Sequence, residues 1–227
     1  MGLIQNGENE EQIAKQLASD AGKVIAMLKG TLRNEQGTDL TACLLYAAGL
    51  AGMACHEAVK ASNGSFHVAA VKDGRKYYFG DYVNRYLLES RTSVFSFCNA
   101  VTDVTADTVR ALAVSVVQRV GGEDLTIWNM PADIVYQRIK ACWDGIHENM
   151  TARFCKAPSE WPVLYGIVMQ NILMQSIRIG APAEEAGRMA MECALVISRM
   201  DTDSLKPDSA HADNRAITSE KPDCLHI

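Results

Sequence analysis

The densest run of side chains able to do chemistry is Tyr77-Tyr78-Phe79-Gly80-Asp81-Tyr82-Val83-Asn84-Arg85-Tyr86. If a helix begins at Asp81, then Asn84 and Arg85 lie three and four residues further on and share its face. A carboxylate, an amide and a guanidinium are then gathered beside phenol rings. Such a set suits binding a polar ligand or a partner's backbone better than it suits breaking bonds. Tyr78, Asp81, Tyr82, Asn84 and Arg85 are therefore the candidate binding residues. The same residues also admit a purely architectural account. Asp81 would cap the helix, Arg85 would pair with Asp81 or Glu89, and the tyrosines would pack with their hydroxyls at the edge.

A second group is Asp144, His147 and Glu148, which share a helical face, with His56-Glu57 on another helix. Carboxylates and imidazoles from two helices can hold a metal inside a bundle. Neither helix carries a Glu-x-x-His or a His-Glu-x-x-His spacing, so a solvated polar face accounts for them and no metal or cofactor is assigned. A nucleophile needs a neighbouring base. There is no Gly-x-Ser-x-Gly, and Cys55 and His56, as helical neighbours, point in different directions. His67 falls in a strand with no local partner. Phosphate cradles are absent, since Gly121-Gly122 closes a helix rather than opening one. No catalytic residue is assigned. Trp128, Trp143 and Trp161 read as core or interface anchors.

The composition is close to the average of ordinary globular proteins. The chain has 227 residues, 48% apolar and 22% charged, with a formal net charge of −5. A chain of this length buries roughly 70–75% of its unfolded surface and needs no metal or disulfide to fold. The basic footprint of a nucleic-acid binder is missing. The seven cysteines form no Cys-x-x-Cys pair and mostly sit in apolar runs, which fits a reducing compartment. The N-terminus lacks the basic and apolar regions of a secretory signal. Gly2 is followed by Asn6 where myristoylation wants Ser or Thr, and His226 spoils the prenylation pattern of the last four residues. A cytoplasmic protein without membrane association is the expectation. The longest uncharged stretch, 40–55, is shorter than the roughly 20 residues a bilayer span needs, and reads as a buried helix.

These candidate side chains have to be placed by the elements around them. Apolar residues at 3–4 spacing predict helices over 8–29, 39–61, 105–120, 131–150, 159–179 and 182–200. Gly30 should end the first, and 31–37 reads as a loop. Thr38 should cap the second, Thr105 the third and Ser159 the fifth. The helices over 39–61 and 159–179 are apolar nearly all round and should be central. The three-residue stop Gly180-Ala181-Pro182 implies that the last two helices pack antiparallel. In the last helix, Glu184 and Glu185 fall in the first turn and Arg199 in the last, matching the helix dipole. The β-prone runs 66–71 and 76–79 flank an Asp-Gly turn and predict a hairpin. A hairpin needs support, which the helices or a third strand over 93–101 would give, although 93–101 also suits a helix.

The fold class is therefore α+β and predominantly helical, with one small antiparallel sheet. Residues 1–200 form one domain, with possible lobes 1–103 and 104–200. Residues 201–227 are too poor in apolar groups to offset ordering entropy and read as a disordered tail. The expected role is a non-enzymatic module that binds another protein or itself. The alternative is a small-molecule-binding or hydrolytic enzyme with a pocket between hairpin and helices, lined by Asp81, Asn84 and Arg85 with His67 or His147.

Overall fold

The computed structural model describes residues 2–35, 37–71, 74–122, 125–151 and 157–200. The expected tail, 201–227, lies outside the described residues. The fold is α+β and predominantly helical, as the periodicity predicts.

Helix α1 (Gly2–Thr31) runs through Gly30 rather than ending there, and the segment after it is not a plain loop. It holds a two-residue antiparallel ladder, β1 (Arg33–Asn34) with β2 (Gly37–Thr38). Because Thr38 is taken up in that ladder, the cap of α2 (Leu40–Ala61) falls one residue later. Asp39 accepts from the backbone N–H groups of Thr41 and Ala42 at 2.9 and 3.0 Å.

Helix α2 is the centre of the molecule. Residues Ala42 to His56 are all buried. The helix is long and apolar enough to cross a membrane by length and composition, yet 94% of its most apolar window is covered by the protein itself. It lies against α7 (Trp161–Arg178) and α8 (Ala183–Ile197). Small residues permit this close approach, because they let helix axes come together without overlap of side chains. One interior is shared by both halves of the chain, with Val24 and Leu50 in the same cluster as Val168 and Leu195.

The hairpin is as expected: β3 (His67–Ala70) pairs antiparallel with β4 (Lys76–Phe79), with Ala69 opposite Tyr77 and Val68 opposite Tyr78. Its support comes from an unexpected place. Tyr77 bridges to Met200, and the Tyr78 N–H donates to the Arg199 carbonyl at 2.8 Å, so the residues just after α8 flank β4. The segment considered as a third strand is instead helix α4 (Val94–Asn99). Ser93 caps it by accepting from the Ser96 N–H at 3.2 Å, and Val94 and Cys98, four residues apart, are buried.

After the hairpin comes a short helix, α3 (Asp81–Asn84), which widens into one π turn over Arg85–Glu89. Helix α5 (Ala106–Arg119) is capped by Thr105 as predicted. It ends before Gly121, whose φ of +84° suits glycine and whose missing side chain leaves room for Val71. A second tight ladder, β5 (Thr126–Ile127) with β6 (Met130–Pro131), precedes α6 (Ala132–Thr151). Ser159 does not cap α7. It sits within a 3₁₀ turn over Pro158–Glu160, and α7 starts from Glu160 without a side-chain cap bond.

Candidate functional site

Around the hairpin, the five residues picked out by spacing separate into two groups. Tyr78 is half-buried and faces α2. Its ring meets those of His56 and Phe66 edge-on, at 5.2 and 5.4 Å between centroids, while His56 stacks on Phe66 at 4.8 Å. His56 is only 1% exposed, and its Nδ1 lies 3.0 Å from the Ser198 carbonyl. A carbonyl can only accept, so Nδ1 carries the proton. The three rings thus join α2, the hairpin and the end of α8.

Asp81, Tyr82 and Arg85 are exposed and Asn84 is half-buried. The architectural account of them does not hold. Asp81 is the first helical residue rather than the cap, and Gly80, which stands at the cap, has no side chain to offer. Glycine does relieve crowding at that point, since a Cβ there would lie 3.1 Å from the Ser65 carbonyl oxygen. Among the described residues, the side chains of Asp81, Asn84 and Arg85 make no hydrogen bond or ion pair, so Arg85 pairs with neither Asp81 nor Glu89. Tyr82 is 53% exposed, and so is much of β3, where Val68 is 52% exposed and all four residues lie open.

The second candidate group is dispersed. His147 stacks on Trp143 at 4.4 Å and 17° and meets Trp161 edge-on at 4.5 Å, with Tyr165 against the far side of Trp143 at 5.2 Å. Burial lowers the basicity of His147, and the nearby Asp144 only partly offsets this. Asp144 is itself held by Lys140. His56 is spent on the hairpin junction, and the Glu148 side chain falls outside the described residues. No group of three or more His, Cys, Asp or Glu able to hold a metal occurs among the described residues. Trp143 and Trp161 act together as a cluster, and Trp128 is an anchor, donating its indole N–H to the Met189 carbonyl at 3.0 Å.

The four buried thiols, Cys43, Cys55, Cys98 and Cys193, are poor nucleophiles. Burial pushes Cys43 and Cys98 up to about 11, and pushes Cys55 and Cys193 upward too. A thiol that stays protonated does not attack. Two cavities lie away from the hairpin. One of about 540 Å³ runs between α5 and α8, lined by Leu112, Glu185, Arg188 and Met189 among others. The other, about 400 Å³, sits by the π turn, lined by Leu88, Glu89, Phe95, Ala106, Val109 and Arg110. Neither is lined by histidine, cysteine or the five candidate residues.

Arg199 is the residue that sequence reasoning misplaced. Expected in the last turn of the final helix, it lies just beyond α8, which ends at Ile197, and is only 4% exposed. Its guanidinium lies 5.4 Å from the centre of the Phe79 ring. Nη1 donates to the Leu195 carbonyl at 3.4 Å and to Ser198 Oγ at 3.3 Å. Burial lowers its pKa to about 10. The one available signal is the company it keeps, since it closes the apolar run Cys193 to Ile197.

No protein-family model, curated protein or solved structure matches this chain. Its class is therefore defined by its fold and surface alone: a predominantly helical α+β domain bearing one open-edged hairpin.

Proposed function

We propose that this chain is a non-enzymatic cytosolic interaction module that takes up an extended segment of another protein along β3. The observation that carries the reading is the state of that strand. All four residues of β3 are exposed, and its edge away from β4 has no backbone partner among the described residues. Val71 donates its N–H to the Arg75 carbonyl. Since strand amides alternate in direction, the N–H and C=O groups of Val68 and Ala70 point to the open edge. Such an edge invites an added strand, with main-chain bonds supplying affinity and nearby side chains specificity. Tyr82 offers an exposed ring, and Asp81 and Arg85 offer charges of both signs that no described residue pairs with. Tyr and Arg are favoured anchors at interfaces.

Support for binding over hydrolysis comes from the histidines and thiols. His56 and His147 are engaged with aromatic rings, and the buried cysteines are held protonated.

The test is a photo-crosslinking residue placed at Val68 in cells, with the linked product identified by mass spectrometry. The expected result is a crosslink to a defined partner that disappears with Ala70→Pro, which removes an outward N–H without touching the β4 ladder, and weakens with Tyr82→Ala plus Arg85→Ala. Crosslinks unchanged by all these variants would defeat the reading. Crosslinks between copies of this chain would replace the foreign partner with self-pairing.

A further inference from the structure

The cavity of about 400 Å³ beside the π turn draws its walls from three elements. The π turn supplies Leu88 and Glu89, α4 supplies Phe95, and α5 supplies Ala106, Val109 and Arg110. Its volume falls in the roughly 300–1,000 Å³ range of small-molecule sites, which are mostly apolar with a few placed polar groups. The same division holds here. Leu88 and Phe95 are half-buried and Val109 is buried, while Glu89 and Arg110 are exposed and bring one charge of each sign from two different walls. Among the described residues no group pairs with the Glu89 carboxylate. Arg110 meets Asp107 through Nη1, at 2.6 Å. Both members of that pair are largely exposed, so it holds Arg110 weakly, and Nε and Nη2 are left unengaged among the described residues. The turn that carries Glu89 is itself unusual. The Ser90 N–H reaches back five residues to the Arg85 carbonyl at 3.0 Å, and such turns are rare and concentrate at functional sites.

We infer that the cavity between the π turn, α4 and α5 is a binding site for a small apolar zwitterion, an ammonium and a carboxylate carried on an apolar frame. The frame lies against Leu88, Phe95 and Val109, the ammonium meets Glu89, and the carboxylate meets Arg110. Charge decides the class. A plain carboxylic acid would be repelled by Glu89, a plain amine would be repelled by Arg110, and a neutral apolar molecule would desolvate both charges without pairing either. A zwitterion pairs both. The free edge of Arg110, Nε and Nη2, matches a carboxylate in spacing, and Arg110 and Ala106 stand at the start of α5, where the helix dipole favours an anion. Two molecules share this chemistry, a free apolar amino acid and an apolar dipeptide. No lining residue belongs to β3 or β4, so the site stands or falls separately from the proposed strand-addition surface.

The test is methyl NMR of the full-length protein, following Leu88 and Val109 while L-leucine and leucyl-leucine are titrated in. Isoamylamine and isocaproate, which each keep the leucine frame with one of its two charges, are the controls. Saturable movement of both residues' methyl signals by leucine or the dipeptide is expected, and the tighter of the two names the source. Each control should bind at least about tenfold more weakly, the loss of one charged hydrogen-bonding group. Glu89→Gln should weaken the zwitterion about tenfold yet strengthen isocaproate, because the repulsion is gone. Arg110→Gln should do the reverse, strengthening isoamylamine. Both side chains are exposed, so the variants keep the fold. Methyl signals that none of the four compounds moves overturn the inference. So does binding of all four that neither substitution alters, which would mean that the cavity takes up any apolar molecule.

Discussion

Gly52 of α2 and Ala194 of α8 stand so close that a Cβ on Gly52 would lie 2.4 Å from the Ala194 carbonyl oxygen. The obstacle is backbone, which cannot swing aside like the end of a side chain. The hairpin is held to the residues that follow the same α8, so this crossing sets where the hairpin is presented.

Gly52→Ala should therefore destabilise the protein by about 1–3 kcal/mol through overpacking, although alanine is the better helix former by about 1 kcal/mol. Gly22, in α1, is the control, because nothing lies within 4 Å of its built Cβ. Gly22→Ala should raise stability. Chemical denaturation of both variants checks the pair, and equal effects would mean that α2 and α8 are not packed this tightly.

Tyr78 and Tyr82, four residues apart, should behave differently. Tyr78→Ala removes a ring packed on His56 and Phe66 and should cost about 2 kcal/mol or more. Tyr82→Ala, alone or with Arg85→Ala, should move stability by no more than about 0.5 kcal/mol. Thermal melts give the comparison. A large loss for Tyr82→Ala would show that its ring is structural.

Acid should weaken the Trp143–His147–Trp161 cluster. Burial places the folded pKa of His147 below its ordinary value of 6.5. In the window below 6.5 the unfolded chain then binds the proton more readily than the folded one, so this stability is complete above 6.5 and is lost as pH falls toward the folded value. Replacing the imidazole by a ring that does not titrate, His147→Phe, should flatten the fall of Tm between pH 6.5 and 5. Identical slopes in calorimetry would remove His147 as the cause.

Thiol labelling separates interior from surface. At pH 8 the native protein should leave Cys43, Cys55, Cys98 and Cys193 unmodified by an alkylating reagent, because each is buried and held protonated. All four should react once the chain is unfolded. Mass spectrometry of the digested protein reads each site, and rapid native labelling of Cys55 would reopen a nucleophilic role.

Much of this architecture is written along the chain itself. The 3–4 spacing of Cys43, Leu44, Ala47, Ala48, Ala51 and Cys55 defines a helix and its burial together, because an apolar surface nearly all round has to be covered. The Asp-Gly turn between two β-prone runs defines the hairpin, because both signals are local. Local rules fail where two good neighbours compete, as when Asp39 took the cap from a Thr38 already paired in β2. They also fail where partners are distant in sequence. The flank of β4 by Arg199 and Met200 and the burial of Arg199 beneath Phe79 depend on elements about 120 residues apart meeting in space, and the division of Tyr78 from Tyr82 depends on the hairpin folding back onto His56 of α2. Spacing along a chain says which side chains share a face; only the packing of α8 against α2 and the hairpin decides which faces are covered and which remain exposed.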